Sequence, residues 1–176
     1  MRTAMLVWAA WLGAAAVGAE EACGGLFNSS ARGVIHTPNF PRPFPVPIRC
    51  RWIILTNSPS PSIVVYLTQV YVTSGLSVTE YSYYESESYN YGRKVVHRVT
   101  DQNVTETKWL WSGYPALIID FQLDALEGHH LRVLDTLLDV YGFNITFEVG
   151  APVHAHTCNA LECSFNGDCV AAADFS

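Results

Sequence analysis

Five cysteines, Cys23, Cys50, Cys158, Cys163 and Cys169, carry the most reactive side chains in this sequence of 176 residues. They could be nucleophiles, metal ligands or disulfide partners, and the compartment decides which. Other candidates for chemistry are sparse. His129-His130 and His154-x-His156 have ligating side chains. His154 and His156, however, sit in a linker beside Pro152 with no fixed third ligand, so they read as solvated. Asp135 and Asp139 would share one face of a helix, yet no partner acid or cleft accompanies them. There is no Gly-x-Ser-x-Gly elbow around Ser112-Gly113 and no glycine-rich phosphate loop, so the sequence predicts no enzyme and no bound cofactor. The denser signal is aromatic. Tyr81, Tyr83, Tyr84, Tyr89 and Tyr91 crowd a stretch otherwise made of Ser, Glu and Asn90. Tyrosine suits recognition surfaces because it offers rigid area and one hydrogen-bonding group. The competing reading turns Tyr81 and Tyr83 into a core as alternating strand residues.

The N-terminus settles the compartment. Met1-Arg2 precedes the apolar run Met5 to Leu12, and small residues follow through Val17 and Ala19. One positive charge, a short apolar core and a small-residue end form a secretory signal over residues 1–19. The run is shorter than the roughly 20 residues a membrane span needs. No later segment reaches that length, so no membrane span is predicted. In an oxidising compartment the cysteines pair, and because five is odd, one has no partner within the chain. Asn28-Ser29-Ser30, Asn103-Val104-Thr105 and Asn144-Ile145-Thr146 are N-glycosylation sequons. The chain is acidic, with 16 Asp and Glu against 10 Lys and Arg, and has no basic stripe. Nucleic acid is therefore excluded as a partner class.

The positioning elements read as strands. Five prolines between residues 37 and 47 forbid a helix or a central strand and imply an extended surface loop. Strands are predicted over Arg51–Thr56, Ser62–Val70, Val78–Tyr84, Lys94–Val99, Thr107–Trp111, Ala116–Gln122 and Gly142–Val149. The last alternates most cleanly. Phe143, Ile145, Phe147 and Val149 face one way, and Asn144, Thr146 and Glu148 face the other. A glycan on Asn144 would then clear the core. Leu131, Leu134 and Leu138 have helical spacing, and a short helix and a strand remain open for that segment. Short strands separated by frequent turns predict an all-β sandwich or jelly roll.

Cys23-Gly24-Gly25, Thr37-Pro38-Asn39-Phe40-Pro41, Cys50-Arg51-Trp52 and the terminal Tyr141-Gly142-Phe143 together resemble the CUB domain family over residues 23–149. The resemblance implies a CUB-like jelly-roll β-sandwich with Cys23 bonded to Cys50. The second cysteine pair common in the family is missing. Many members bind calcium through three acidic residues. The first position falls near the neutral Gln69, the second on Glu80 and the third on Asp124. Two carboxylates make a weak calcium candidate, since the ion takes six to eight oxygens. The segment Ala125 to Tyr141 is longer than is usual in the family.

After a linker at 150–157, Cys158-x4-Cys163-x5-Cys169 resembles the first half of an EGF-like module over 158–176. That pattern implies a Cys158–Cys169 bond and leaves Cys163 unpaired. A CUB domain followed by EGF-like modules is similar to the ectodomains of attractin-like receptors. The resemblance implies a secreted or extracellular module that binds a protein ligand, as the N-terminal part or a truncated form of a larger receptor-like glycoprotein. The alternative is an accessory domain of a secreted protease whose catalytic part is absent here.

Overall fold

The computed structural model describes residues 23–28, 30–126, 131–133 and 138–150. The elements in chain order are β1 (Gly25–Asn28), β2 (Arg32–His36), β3 (Ile48–Leu55), β4 (Ile63–Val70), β5 (Leu76–Tyr81), β6 (Tyr83–Ser86), β7 (Tyr89–Tyr91), β8 (Lys94–Arg98), β9 (Trp109–Ser112), β10 (Ala116–Leu123), β11 (Leu131–Val133), β12 (Leu138–Val140) and β13 (Phe143–Val149). Among the described residues every regular element is a strand, and no helix is long and apolar enough to cross a membrane.

Two sheets carry the fold. One orders its strands β1-β3-β10-β5-β8 and the other β2-β13-β4-β9. Their facing sides share one apolar core, because period-2 alternation sends every second side chain inward. From the first sheet come Cys50, Trp52, Ile54, Leu117, Ile119 and Phe121. From the second come Ile35, Ile63, Val65, Phe143, Ile145 and Phe147. Trp52 and Phe121 each meet Phe143 edge to face across the sandwich, with centroids 5.7 and 5.1 Å apart. This is the all-β sandwich that the strand pattern predicts. A disulfide joins Cys23 to Cys50, with 5.1 Å between their Cα atoms, and so ties the start of β1 to β3, its parallel neighbour.

Two expectations are corrected here and one open alternative is decided. The proline-rich segment is not only a surface loop. Its Phe44 is buried against Phe121, and Thr37 is fully buried where its hydroxyl accepts the Phe143 amide. The predicted strand Val78–Tyr84 is two elements, broken at Ser82, so its second half leaves the sheet. Within the long segment before β13, β11 and β12 pair antiparallel with Val133 opposite Leu138. Of the two alternatives left open there, residues 131–133 and 138–140 take the strand. The leader, the linker beyond Gly150, Cys158, Cys163 and Cys169, the four histidines His129, His130, His154 and His156, and Asp135 lie outside the described residues.

Candidate recognition surface

The outward face of the five-stranded sheet divides along its strands. On β3 the inward residues are Cys50, Trp52 and Ile54, which leaves Arg49, Arg51, Ile53 and Leu55 pointing out. On β10 the outward set is Ala116, Ile118, Asp120 and Gln122. Register places Ile118 beside Ile53, and Asp120 beside Arg51 and Ser77. One half of the face is therefore apolar and the other charged.

The hairpin β6–β7 covers the apolar half. Tyr81, Ala116 and Ile118 are buried in a small second cluster against Ile53, Leu55 and Tyr84. Tyr84 meets Tyr81 edge to face at 5.3 Å. The hairpin folds back at Ser82 and rejoins the sheet at Gly92. Gly92 has φ of 71° and lies so close to Ser82 that a β-carbon would clash with it. At the turn, Glu87 accepts the Tyr84 hydroxyl at 2.8 Å and pairs with Arg51, whose Nε also donates to Asp120 at 2.5 Å. The hairpin is thus fastened by packing at its base and by charge at its tip. The hydrogen bond from Tyr84 chiefly, and then that from Arg51, holds the Glu87 carboxyl below the usual carboxylate value, although partial burial opposes them. The bond to Asp120 above all holds the Arg51 guanidinium firmly charged.

The outward side of the hairpin is aromatic. Tyr83 stacks on Tyr91 at 5.6 Å and meets Tyr89 edge to face at 5.4 Å. Tyr89 is 62% and Tyr91 64% exposed. Tyr83 donates to Glu85 at 2.7 Å, and that bond chiefly pushes its phenol up to about 12. Tyr84 is also pushed up to about 12, first by partial burial and then by its bond to Glu87. Both remain hydroxyl donors at physiological pH. Of the five tyrosines singled out in the sequence, Tyr83, Tyr89 and Tyr91 form one exposed group. Tyr81, at 7% exposure, does not belong to an outward surface, and Tyr84 is the half-buried link between them.

Beside the hairpin tip lies a groove of about 880 Å³ lined by Arg49, Arg51 and Arg98 together with Asp120 and Asp124. Arg49 approaches Asp124 at 3.9 Å. Sequence reasoning missed this groove. The available signal was Arg49-x-Arg51 flanking an inward cysteine, which places both arginines on one outward face.

The two weak calcium candidates do not converge. Glu80 lies opposite Leu117 on β10, and Asp124 follows seven residues further along, roughly 23 Å away at strand rise. Glu80 is 4% exposed. It accepts the Ser112 hydroxyl at 2.7 Å from the opposite sheet and pairs with Lys94 at 3.2 Å. This carboxylate bridges the two sheets and also occupies Ser112. Among the described residues no group of three or more His, Cys, Asp or Glu could hold a metal.

The sequons fall on three surfaces. Asn28 is exposed on β1. Asn103 closes the turn after β8, donating to the Arg98 carbonyl and accepting the Thr100 amide, both at 2.9 Å. Asn144 points outward from β13 and donates to Gln69 at 2.8 Å. His97, on β8, has a buried Nε2 with no partner among the described residues, and burial lowers its pKa.

The sequence matches no family model and no curated protein. Among solved structures, the chain is similar to the CUB1-EGF-CUB2 domains of rat MASP-1, with 15% identity and a TM-score of 0.47 over 74% of this chain and 44% of that one. The CUB1-EGF-CUB2 domain of human MASP-1/3 gives 14% identity and a TM-score of 0.49 over 73% and 43%. The MASP-1 CUB2 domain bound to Ca2+ gives 13% and 0.43 over 72% and 98%. The chain spans less than half the length of the first two.

Proposed function

We propose that this chain is a non-catalytic extracellular module that recognises a protein ligand through the β6–β7 hairpin and the adjoining arginine-lined groove. The observation that carries the reading is the exposed, mutually stacked group of Tyr83, Tyr89 and Tyr91 on a hairpin already fastened to the sheet. Such a group presents large apolar area and several hydroxyls with little side-chain freedom left to lose. The secretory signal, the Cys23–Cys50 bond and the three sequons support an extracellular setting. The finer organisation belongs to the same proposal: a signal at 1–19, a domain at 23–149, and the first half of an EGF-like module at 158–176, within or cut from a larger receptor-like glycoprotein. Binding of the purified, secreted chain to cell surfaces tests it. Saturable binding should weaken about tenfold or more in Tyr89→Ala/Tyr91→Ala, because aromatic anchors concentrate interface energy. Melting temperature should not change. A double variant that binds as well as the native chain removes the hairpin from the interface.

A further inference from the structure

The outward face of the four-stranded sheet poses a separate problem. Leu110 packs toward the core and Ser112 is buried, so β9 sends Trp109 and Trp111 outward. They remain 47% and 45% exposed. Register sets Trp109 beside Tyr66 and Trp111 beside Val64, and β13 then adds Thr146 and Glu148 on the far side of β4. On β2, beyond Thr146, comes Val34, also exposed. Within this row Val64 and Tyr66 are each only 9% exposed and the Tyr66 hydroxyl donates to the buried Glu148, so the open apolar area is that of the two neighbouring indoles, a pair that is unusual on a chain without a covering partner. The sequon Asn144-Ile145-Thr146 lies within this same face. Thr146 sits directly in the row Val34, Thr146, Tyr66, Trp109, and Asn144 is one outward position along β13. Two strand spacings and two residues of rise put Asn144 roughly 12 Å from Trp109, Cα to Cα. That gap is spanned by the asparagine side chain and one sugar from one side and the indole from the other.

We infer that the N-linked oligosaccharide on Asn144 folds back over the exposed indoles of Trp109 and Trp111, so that the chain covers its own apolar surface. Sugar rings have one face of C–H groups that stacks on an indole, and a rim of hydroxyls that stays in water. They can therefore cover aromatic rings without leaving a new apolar exterior. The Asn144 side chain donates to Gln69 and so leans toward β4, the side of β13 on which β9 and its tryptophans lie. Asn103 has no such surface. Its sequon lies in the turn after β8, and its side chain is engaged with Arg98 and Thr100. The inference rests on passage through the secretory pathway and is independent of the hairpin as a binding surface.

Tryptophan fluorescence reads the arrangement directly. Beyond the leader the chain has three tryptophans, and Trp52 is buried, so quenching by acrylamide reports on Trp109 and Trp111. The full chain secreted from glycosylating cells should carry a glycan on Asn144 by peptide mass spectrometry. Asn144→Gln and Thr146→Val both remove that glycan, the second with Asn144 intact. Each should raise the quenching constant and shift emission to the red. Thr105→Val empties only the Asn103 sequon and should leave both readings at the native values. Three results would overturn the inference. One is an empty Asn144 on a chain whose Asn103 is occupied. Another is native quenching in both Asn144-sequon variants. The third is tryptophan protection that depends on protein concentration, which would assign the cover to a second copy. A chain with all sequons empty overturns the secretory reading as well, whereas failure of the tyrosine variants in binding leaves this result untouched.

Discussion

The two sheets present nearly identical inner faces and very different outer ones. Inside, both supply alternating aliphatic and aromatic residues to one core. Outside, the five-stranded sheet has its apolar half closed by its own hairpin and its polar half open as an arginine-lined groove. The four-stranded sheet leaves two tryptophans in the open beside a sequon. Inward residues are constrained by the need to fill space at high density. Outward residues are constrained by what meets them, so the outer faces hold the information about function.

The largest way to disturb this contrast is to loosen one sheet alone. Cys23→Ser/Cys50→Ser opens a loop with a sequence separation of 27 residues. On the chain-entropy estimate this removes about 3.5 kcal/mol of stability. Because the bond ties β1 to β3, denaturant unfolding should fall to a lower midpoint, and hydrogen exchange should rise first in the five-stranded sheet. Equal loss in both sheets would mean that they unfold as one unit. Glu80→Ala comes next. It removes the acceptor of the Ser112 hydroxyl at a buried site, leaving that oxygen only the Tyr114 amide, which costs about 1–3 kcal/mol, and should lower the denaturation midpoint without changing the emission of Trp109 and Trp111.

The smallest effect concerns pH and the hairpin tip. The Glu87 carboxyl is held down by Tyr84 and Arg51, so its contribution is present above the unfolded carboxylate value of 4.5 and is lost as pH falls through its lower folded value. At the other end, Tyr83 and Tyr84 have folded values of about 12 against an unfolded 10. Their contribution is complete below pH 10 and disappears as pH rises through 12. Ultraviolet titration should show two late-ionising phenols, and Glu87→Gln should bring that of Tyr84 down. Both changes are expected to be small in stability, since Glu87 and Tyr83 are screened by solvent and Tyr84 is only half-buried.

The inner faces were legible in the sequence because alternation is local. β13 and β4 follow directly from Phe143, Ile145 and Phe147 and from Ile63, Val65 and Leu67. β1 and β2 were not predicted. Gly25 to Asn28 buries little, and in Arg32 to His36 only Ile35 is fully buried, so neither shows a face to the pattern. The tyrosine stretch announced either a recognition surface or strand residues alternating into a core, without deciding between them. Which tyrosines face outward depends on the fold-back at Ser82, a tertiary event fixed by Ile53, Leu55 and Ile118 from distant strands. The groove unites Arg49, Arg51 and Arg98 only through strand order, which spacing along the chain does not encode.

The pairing of Glu87 with Arg51 has a consequence for how binding would register in a calorimeter. A hairpin already clamped at its tip has little motion left to surrender when a ligand arrives. Association through Tyr83, Tyr89 and Tyr91 should therefore carry a small entropic penalty and a modest heat-capacity change. Replacing Arg51 with Met would free the tip and convert the same contacts into a coupled ordering event, with a larger unfavourable entropy and a weaker complex.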